Sequence, residues 1–191
     1  MAVQRMVFPG GNTCNGFHSF YRYVVPPDAA RLFILKGGPG VGKSTFMKKL
    51  SGELNQAGYS RELHWCSSDN DSLDALVLPD YQIAVMDGTA PHVVDPRYPG
   101  AVDEIVNLGE FWEESQLTRN KTRIIELTQL KAMYFKIAYL RLKEAYAIWN
   151  ELNEYFHESV PAILCRSIQR RLKDEVLSTG IRPDYGKHRE R

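Results

Sequence analysis

The sequence predicts an α/β fold: a three-layer core with a mostly parallel sheet, built around a phosphate-binding loop and extended by a long α-helical hairpin. Three observations predict it. The stretch Gly37-Gly38-Pro39-Gly40-Val41-Gly42-Lys43-Ser44 satisfies the pattern G-x-x-x-x-G-K-[ST] at every fixed position. The flanks suit it: Arg31 to Lys36 reads as a short buried strand, and Thr45 to Leu54 places Phe46, Met47, Leu50 and Leu54 on one face of a helix. Lastly, Glu110 to Val160 contains neither Gly nor Pro, and its apolar residues recur at threes and fours.

The chemistry of the loop follows from its residue types. Glycines have no Cβ, so the backbone can bend round a polyphosphate and bring N–H groups close. The helix that follows aims its free N–H groups and positive dipole end at the same place. Gly38, Pro39, Gly40, Val41, Gly42, Lys43, Ser44 and Thr45 are therefore the expected nucleotide-binding residues, with Lys43 on the outer phosphates and the Ser44 hydroxyl on Mg²⁺.

Composition bounds the rest. The 191 residues allow one α/β domain with an elaboration, or a small domain plus a helical appendage. A net charge of +1 provides no broad field for nucleic acid or an anionic membrane. No apolar run reaches the length of a membrane span, and the first residues lack a secretory apolar core. Cys14, Cys66 and Cys165 are odd in number and far apart, which reads as reduced thiols in a cytoplasmic protein. His64 and Cys66 share one side of an expected strand, but two soft ligands alone do not make a zinc site.

In chain order, residues 1–30 read as loop-rich, with turn signals at Gly10-Gly11-Asn12-Thr13 and Asn15-Gly16. The aromatics Phe17, Phe20, Tyr21 and Tyr23 read as packing against the first strand's flank, with stacking on an adenine as the alternative. After the phosphate loop the helix stops near Gly58. Ser60 to Cys66 reads as the second strand, running into an acidic segment with Asp69, Asp71 and Asp74. The carboxyl ends of strands in open α/β sheets are where ligands bind, which makes Asp69 a candidate for positioning water or an acceptor. Asp71 and Asp74 read instead as loop and capping residues.

Tyr81 to Asp87 reads as the third strand, ending in a carboxylate suited to hold Mg²⁺ opposite Ser44. Gly88 stands where many ATP hydrolases place a Glu, which leans toward a kinase-like arrangement. Thr89 and His92 follow in a polar loop, His92 as a candidate γ-phosphate sensor, while Asp95 and Arg97 either face the site or set turns. Ala101 to Leu108 reads as a short helix stopped by Gly109.

The long periodic segment that follows reads as one helix or two. Roughly 45 residues at ~1.5 Å each would span ~65 Å, more than the width of a small domain. Its expected partner is Pro161 to Ser178, in an antiparallel hairpin turning near His157 to Pro161. Arg166, Arg170, Arg171 and Lys173 on that second helix read as a solvated basic face rather than a lid. The expected domains are thus a nucleotide-binding core at 1–110, a helical hairpin at 111–180 and a polar tail at 181–191.

Several stretches together carry a resemblance. Leu32 to Lys49, Gly11-Asn12-Thr13 with Gly16-Phe17, Cys66-Ser67-Ser68-Asp69 and Asp87 to Ile105 are similar to a group of bacterial P-loop ATP-binding proteins. The resemblance covers most of the chain and implies a P-loop NTPase, either an ATPase or nucleotide kinase-like. Members usually carry two phosphate-loop halves in tandem, and this chain resembles the first. A smaller sheet, a partner copy or a missing second half would then account for strands not evident here.

The resulting expectation is Mg·ATP binding with hydrolysis or phosphoryl transfer. Lys43, Asp87, Asp69 and His92 are the catalytic candidates, and Ser44 and Asp87 the metal ligands. Two alternatives stand beside the ATPase: a small-molecule or nucleotide kinase with its own acceptor, and a nucleotide-gated interaction module with little turnover. The expected partners are a nucleoside triphosphate, a small-molecule acceptor, and a protein or second copy met through the hairpin. Neither membrane nor nucleic acid is expected.

Overall fold

The computed structural model describes residues 2–89, 93–159 and 162–178. The chain divides into two units, Met1–Leu142 and Lys143–Arg191. The strands are β1 (Gln4–Val7), β2 (Gly10–Thr13), β3 (Gly16–Ser19), β4 (Arg31–Lys36), β5 (Arg61–Trp65), β6 (Leu73–Leu78), β7 (Ile83–Asp87) and β8 (Asp103–Asn107). The helices are α1 (Lys43–Gln56), α2 (Glu114–Arg119), α3 (Lys121–Ser159) and α4 (Ala162–Ser178).

Six strands form one sheet in the order β1-β5-β6-β7-β4-β8, and β2 with β3 forms a separate antiparallel hairpin. The sheet is mixed, which corrects the mostly parallel expectation. β4 runs parallel to both β7 and β8, and β1 runs parallel to β5. β6 runs antiparallel to both its neighbours, β5 and β7. The reason is local. The apolar run from Leu73 to Leu78 follows β5 after a short turn, so it can only return alongside it; a parallel strand would need a long crossover.

The three-layer expectation is corrected as well. One face of the sheet is covered by α1: Met47 is fully buried against Leu35, Leu63, Leu73, Leu76 and Val85, with Leu50 and Leu54 beside it. Phe46, expected on that face, is exposed. The opposite face carries Leu32, Ile34, Ala75, Val77, Ala84 and Met86, and it is covered by Tyr21, Phe17, Val24, Val25, Val94 and Val102 from loops and short turns. No helix supplies a third layer in the described core. Burying each large side chain of these two clusters contributes roughly 1.5–3 kcal/mol.

Two further elements differ from the sequence reading. Gln4–Val7, in the stretch read as loop, is an edge strand on β5. Residues 103–107, read as helix, form β8. The buried Asp103 carboxylate explains the change: its Oδ2 accepts the N–H groups of Arg97 at 2.5 Å and Tyr98 at 2.7 Å. That turn delivers the chain extended onto the free edge of β4, where ladder bonds replace helical ones.

The long periodic segment forms α2 and α3, broken at Asn120, whose side-chain amide donates to the Gln116 carbonyl at 2.9 Å. In the second unit Ile163, Leu164, Ile168, Leu172, Val176 and Leu177 of α4 stand exposed, Ile163 at 74 % and Leu172 at 51 %. The turn at residues 160–161 and the tail at 181–191 lie outside the described residues. Among the described residues no helix is long and apolar enough to cross a membrane.

Candidate functional site

Residues 37–42 leave the end of β4 and enter α1, with Gly42 at the helix N-cap. Gly40 and Gly42 hold φ of +81° and +90°, the left-handed region that side chains resist. Gly38 is closed in from outside: a Cβ there would stand 3.2 Å from the Trp112 indole.

Lys43 opens α1 and is 7 % exposed. Its ammonium folds back over the loop, donating to the carbonyls of Gly37 and Gly38 at 3.0 Å each. Asp87, at the end of β7, sits beside it, with Nζ and Oδ2 3.6 Å apart. The register pairs Leu35 with Asp87 across β4 and β7, so loop and carboxylate leave the sheet at the same edge. Asp87 Oδ1 is held by the Thr89 N–H at 2.8 Å and the Thr89 hydroxyl at 2.5 Å. The Ser44 hydroxyl accepts the Leu73 N–H at 2.9 Å, tying the start of α1 to the start of β6.

A cavity of about 510 Å³ opens over this edge. Lys43, Ser44, Thr45, Pro39, Gly40 and Gly42 form one side, while Asp69, Asp74 and Asp87 bring carboxylates to it. Asp69 is exposed; its Oδ1 accepts the Asp71 N–H at 3.3 Å and its carbonyl the Ser72 N–H at 2.9 Å. Asp71 does not line the cavity, although its carbonyl receives the Lys48 ammonium. His92 lies outside the described residues. Asp95 is engaged by Lys36, whose ammonium also donates to the Gly88 and Val94 carbonyls, each at 2.8 Å. This clamps the loop leaving β7.

Asp74, read from the sequence as a loop and capping residue, is instead a strand residue. It lies within β6, is 4 % exposed and lines the cavity. Asp74 and Asp87 each stand one residue beyond the paired Ala75 and Met86, so they meet as neighbours at the sheet edge. The Tyr21 hydroxyl donates to Asp74 Oδ2. Burial, reinforced by that bond and by the Asp74 charge, pushes the Tyr21 phenol far above its ordinary range and keeps it a donor. Burial likewise pushes the Cys66 thiol up. The available signal was the apolar run after Asp74, which marks that residue as strand rather than loop.

Among the described residues no three or more His, Cys, Asp or Glu gather as a metal site. Ser44 and Asp87 offer one hydroxyl and one carboxylate, and Mg²⁺ is commonly held by one or two such oxygens together with substrate phosphates. Compared with protein-family models, curated proteins and solved structures, the chain finds no significant match.

Proposed function

We propose that this chain binds Mg·ATP at residues 38–45 and hydrolyses it or transfers its terminal phosphoryl group. One observation carries the reading. A buried lysine at the head of a helix is folded over a glycine loop and set 3.6 Å from a carboxylate on the neighbouring strand. Such an ammonium has left water, and two carbonyls and one carboxylate offset that cost only in part. A polyphosphate in the loop would complete it.

In this reading the loop amides and Lys43 hold the phosphates, and the Asp87 carboxylate and Ser44 hydroxyl hold the magnesium. The metal, when bound, neutralises charge on the transferring phosphoryl group. Thr89 fixes the Asp87 carboxylate through Oδ1 and leaves Oδ2 toward Lys43. Asp69 is the exposed carboxylate on the cavity that would orient the attacking oxygen.

Transfer to a small-molecule acceptor is the second reading, and Gly88 favours it. A Cβ on Gly88 would lie 2.3 Å from Ile34 Cγ2 and 3.0 Å from the Val94 carbonyl. The position that carries a water-orienting Glu in many ATP hydrolases is thus closed to any side chain here.

The test is a binding and product assay. Mg·ATP titrated onto the wild type, followed by calorimetry, should saturate, and Lys43→Ala should abolish it. Labelled ATP with and without a pool of metabolites then separates phosphate release from transfer, and little turnover in either arm favours a nucleotide-gated interaction module. Equal binding by wild type and Lys43→Ala would overturn the assignment of the site.

A further inference from the structure

The cavity over the phosphate loop has a second lysine, and it comes from an element the phosphate-loop motif does not include. Lys131 and Phe135 of α3 line the same space as Gly40, Lys43 and Ser44. They are four residues apart and share one helix face. Tyr139, four residues further, continues that face toward the core. Its hydroxyl donates to Asn12 Oδ1 at 2.9 Å, and the Asn12 amide donates to Ser68 Oγ at 3.2 Å. Ser68 itself lines the cavity. The register of α3 against the site is therefore fixed by a chain of hydrogen bonds ending in the cavity wall.

Charge distinguishes the two lysines. Lys43 is matched by Asp87 at 3.6 Å. Lys131 has no hydrogen-bond or ion-pair partner among the described residues. The remaining charged lining, Asp69 and Asp74, is negative. A nucleoside triphosphate seated on the loop would bring a dense anion into a space whose one uncommitted cation is on α3.

We propose that Lys131 binds the terminal phosphate of the nucleotide, so that α3 forms one wall of the occupied site and supplies its second cation. This deepens the Mg·ATP reading above and rests on it. It makes Lys131 a discriminator: the group farthest from the nucleoside is the one it holds, so triphosphate should be favoured over diphosphate through this residue.

The experiment compares wild type, Lys131→Ala, Lys131→Arg and Lys43→Ala for affinity toward Mg·ATP and Mg·ADP. Lys131 is exposed on a helix, so Lys131→Ala should melt with the wild type. Lys131→Ala should weaken Mg·ATP by about tenfold to a hundredfold, the scale of one charge-assisted hydrogen bond, and change Mg·ADP far less. Lys131→Arg should restore most of the difference. If Lys131→Ala binds both nucleotides as the wild type does while Lys43→Ala does not bind, the Lys131 assignment is overturned and the nucleotide reading survives. An equal loss for ATP and ADP, unrescued by Arg, would also overturn it. Wild type that binds neither nucleotide overturns both.

Discussion

The ammonium of Lys43 stands 3.6 Å from Oδ2 of Asp87, with both side chains largely withdrawn from solvent. Each limits the other. Each charge offsets part of the cost of withdrawing the other from water. Asp87→Asn keeps the shape and removes the charge. Turnover of Mg·ATP should fall by about two orders of magnitude or more, the scale of losing a metal-holding oxygen in phosphoryl transfer. Nucleotide binding should also lose most of its magnesium dependence. Titrations with and without magnesium check this, and unchanged magnesium dependence would remove Asp87 from the metal.

Tyr21→Phe isolates the buried support under the site. The substitution removes the phenol that donates to Asp74 and leaves the ring volume in place. Stability should drop by about 1–3 kcal/mol, because a buried carboxylate loses one of its donors. A shift in the urea midpoint at constant slope is the measurement. A midpoint equal to wild type would mean that Tyr21 contributes only its ring.

Gly88→Ala tests the closure beside Asp87. The added methyl meets Ile34 Cγ2, part of the core face, and the Val94 carbonyl. A cost of about 1–3 kcal/mol is expected from overpacking. Thermal denaturation reads it directly, and an unchanged melting temperature would show that the loop leaving β7 yields easily.

The cysteines provide a pH-linked probe. Burial holds the Cys66 thiol above its usual range, so less thiolate is present at neutral pH than for an exposed cysteine. Alkylation at pH 7.5, followed by mass spectrometry, should therefore modify exposed Cys165 first and Cys66 last. Bound Mg·ATP should slow Cys66 further, because that residue lines the cavity. Because the folded thiol holds its proton more tightly, the stability it contributes is present below the ordinary thiol pKa of ~8.5 and lost as pH rises through the raised value. Cys66 labelling as fast as Cys165 would contradict the burial argument.

Glu62 titrates in the opposite direction. His64 Nε2 lies 3.5 Å from its Oε2, and that imidazole, with help from Arg5, holds the carboxyl below its ordinary value against the opposing effect of burial. Stability from this pair is present above the unfolded carboxylate pKa and lost as pH falls through the depressed one. Glu62→Gln should flatten the acid side of the stability profile, and an unchanged profile would show that the pair carries no linkage.

The strand, glycine turn and helix around Lys43 were legible in the sequence because their spacing is a local property: all lie within about two dozen consecutive residues. Asp87 was legible for the same reason, as a carboxylate closing an apolar run. What was not legible depends on contacts between distant segments. Leu73–Leu78 is an apolar run whose antiparallel direction is set by the short turn before it, not by its own composition. Asp103–Asn107 has apolar spacing compatible with either helix or strand, and the buried Asp103 turn together with the open edge of β4 decides between them. Asp74 looked like one more acid in a polar loop until Tyr21, more than fifty residues away in sequence, was found against it. Apolar periodicity in α4 likewise announces an amphipathic helix without naming what it packs on.

The position of β4 has a consequence for motion. That strand has a parallel neighbour on each side, and its residues Ile34 and Leu35 are among the most deeply buried of the chain. The segment that carries the glycine loop cannot fray without breaking two ladders at once. In hydrogen exchange its amides should be among the slowest to trade with deuterium, opening only with global unfolding, while α2 and α4 exchange quickly. The glycine loop is thus anchored at its start to a strand held from both sides, so any adjustment around it would fall to the groups that face it.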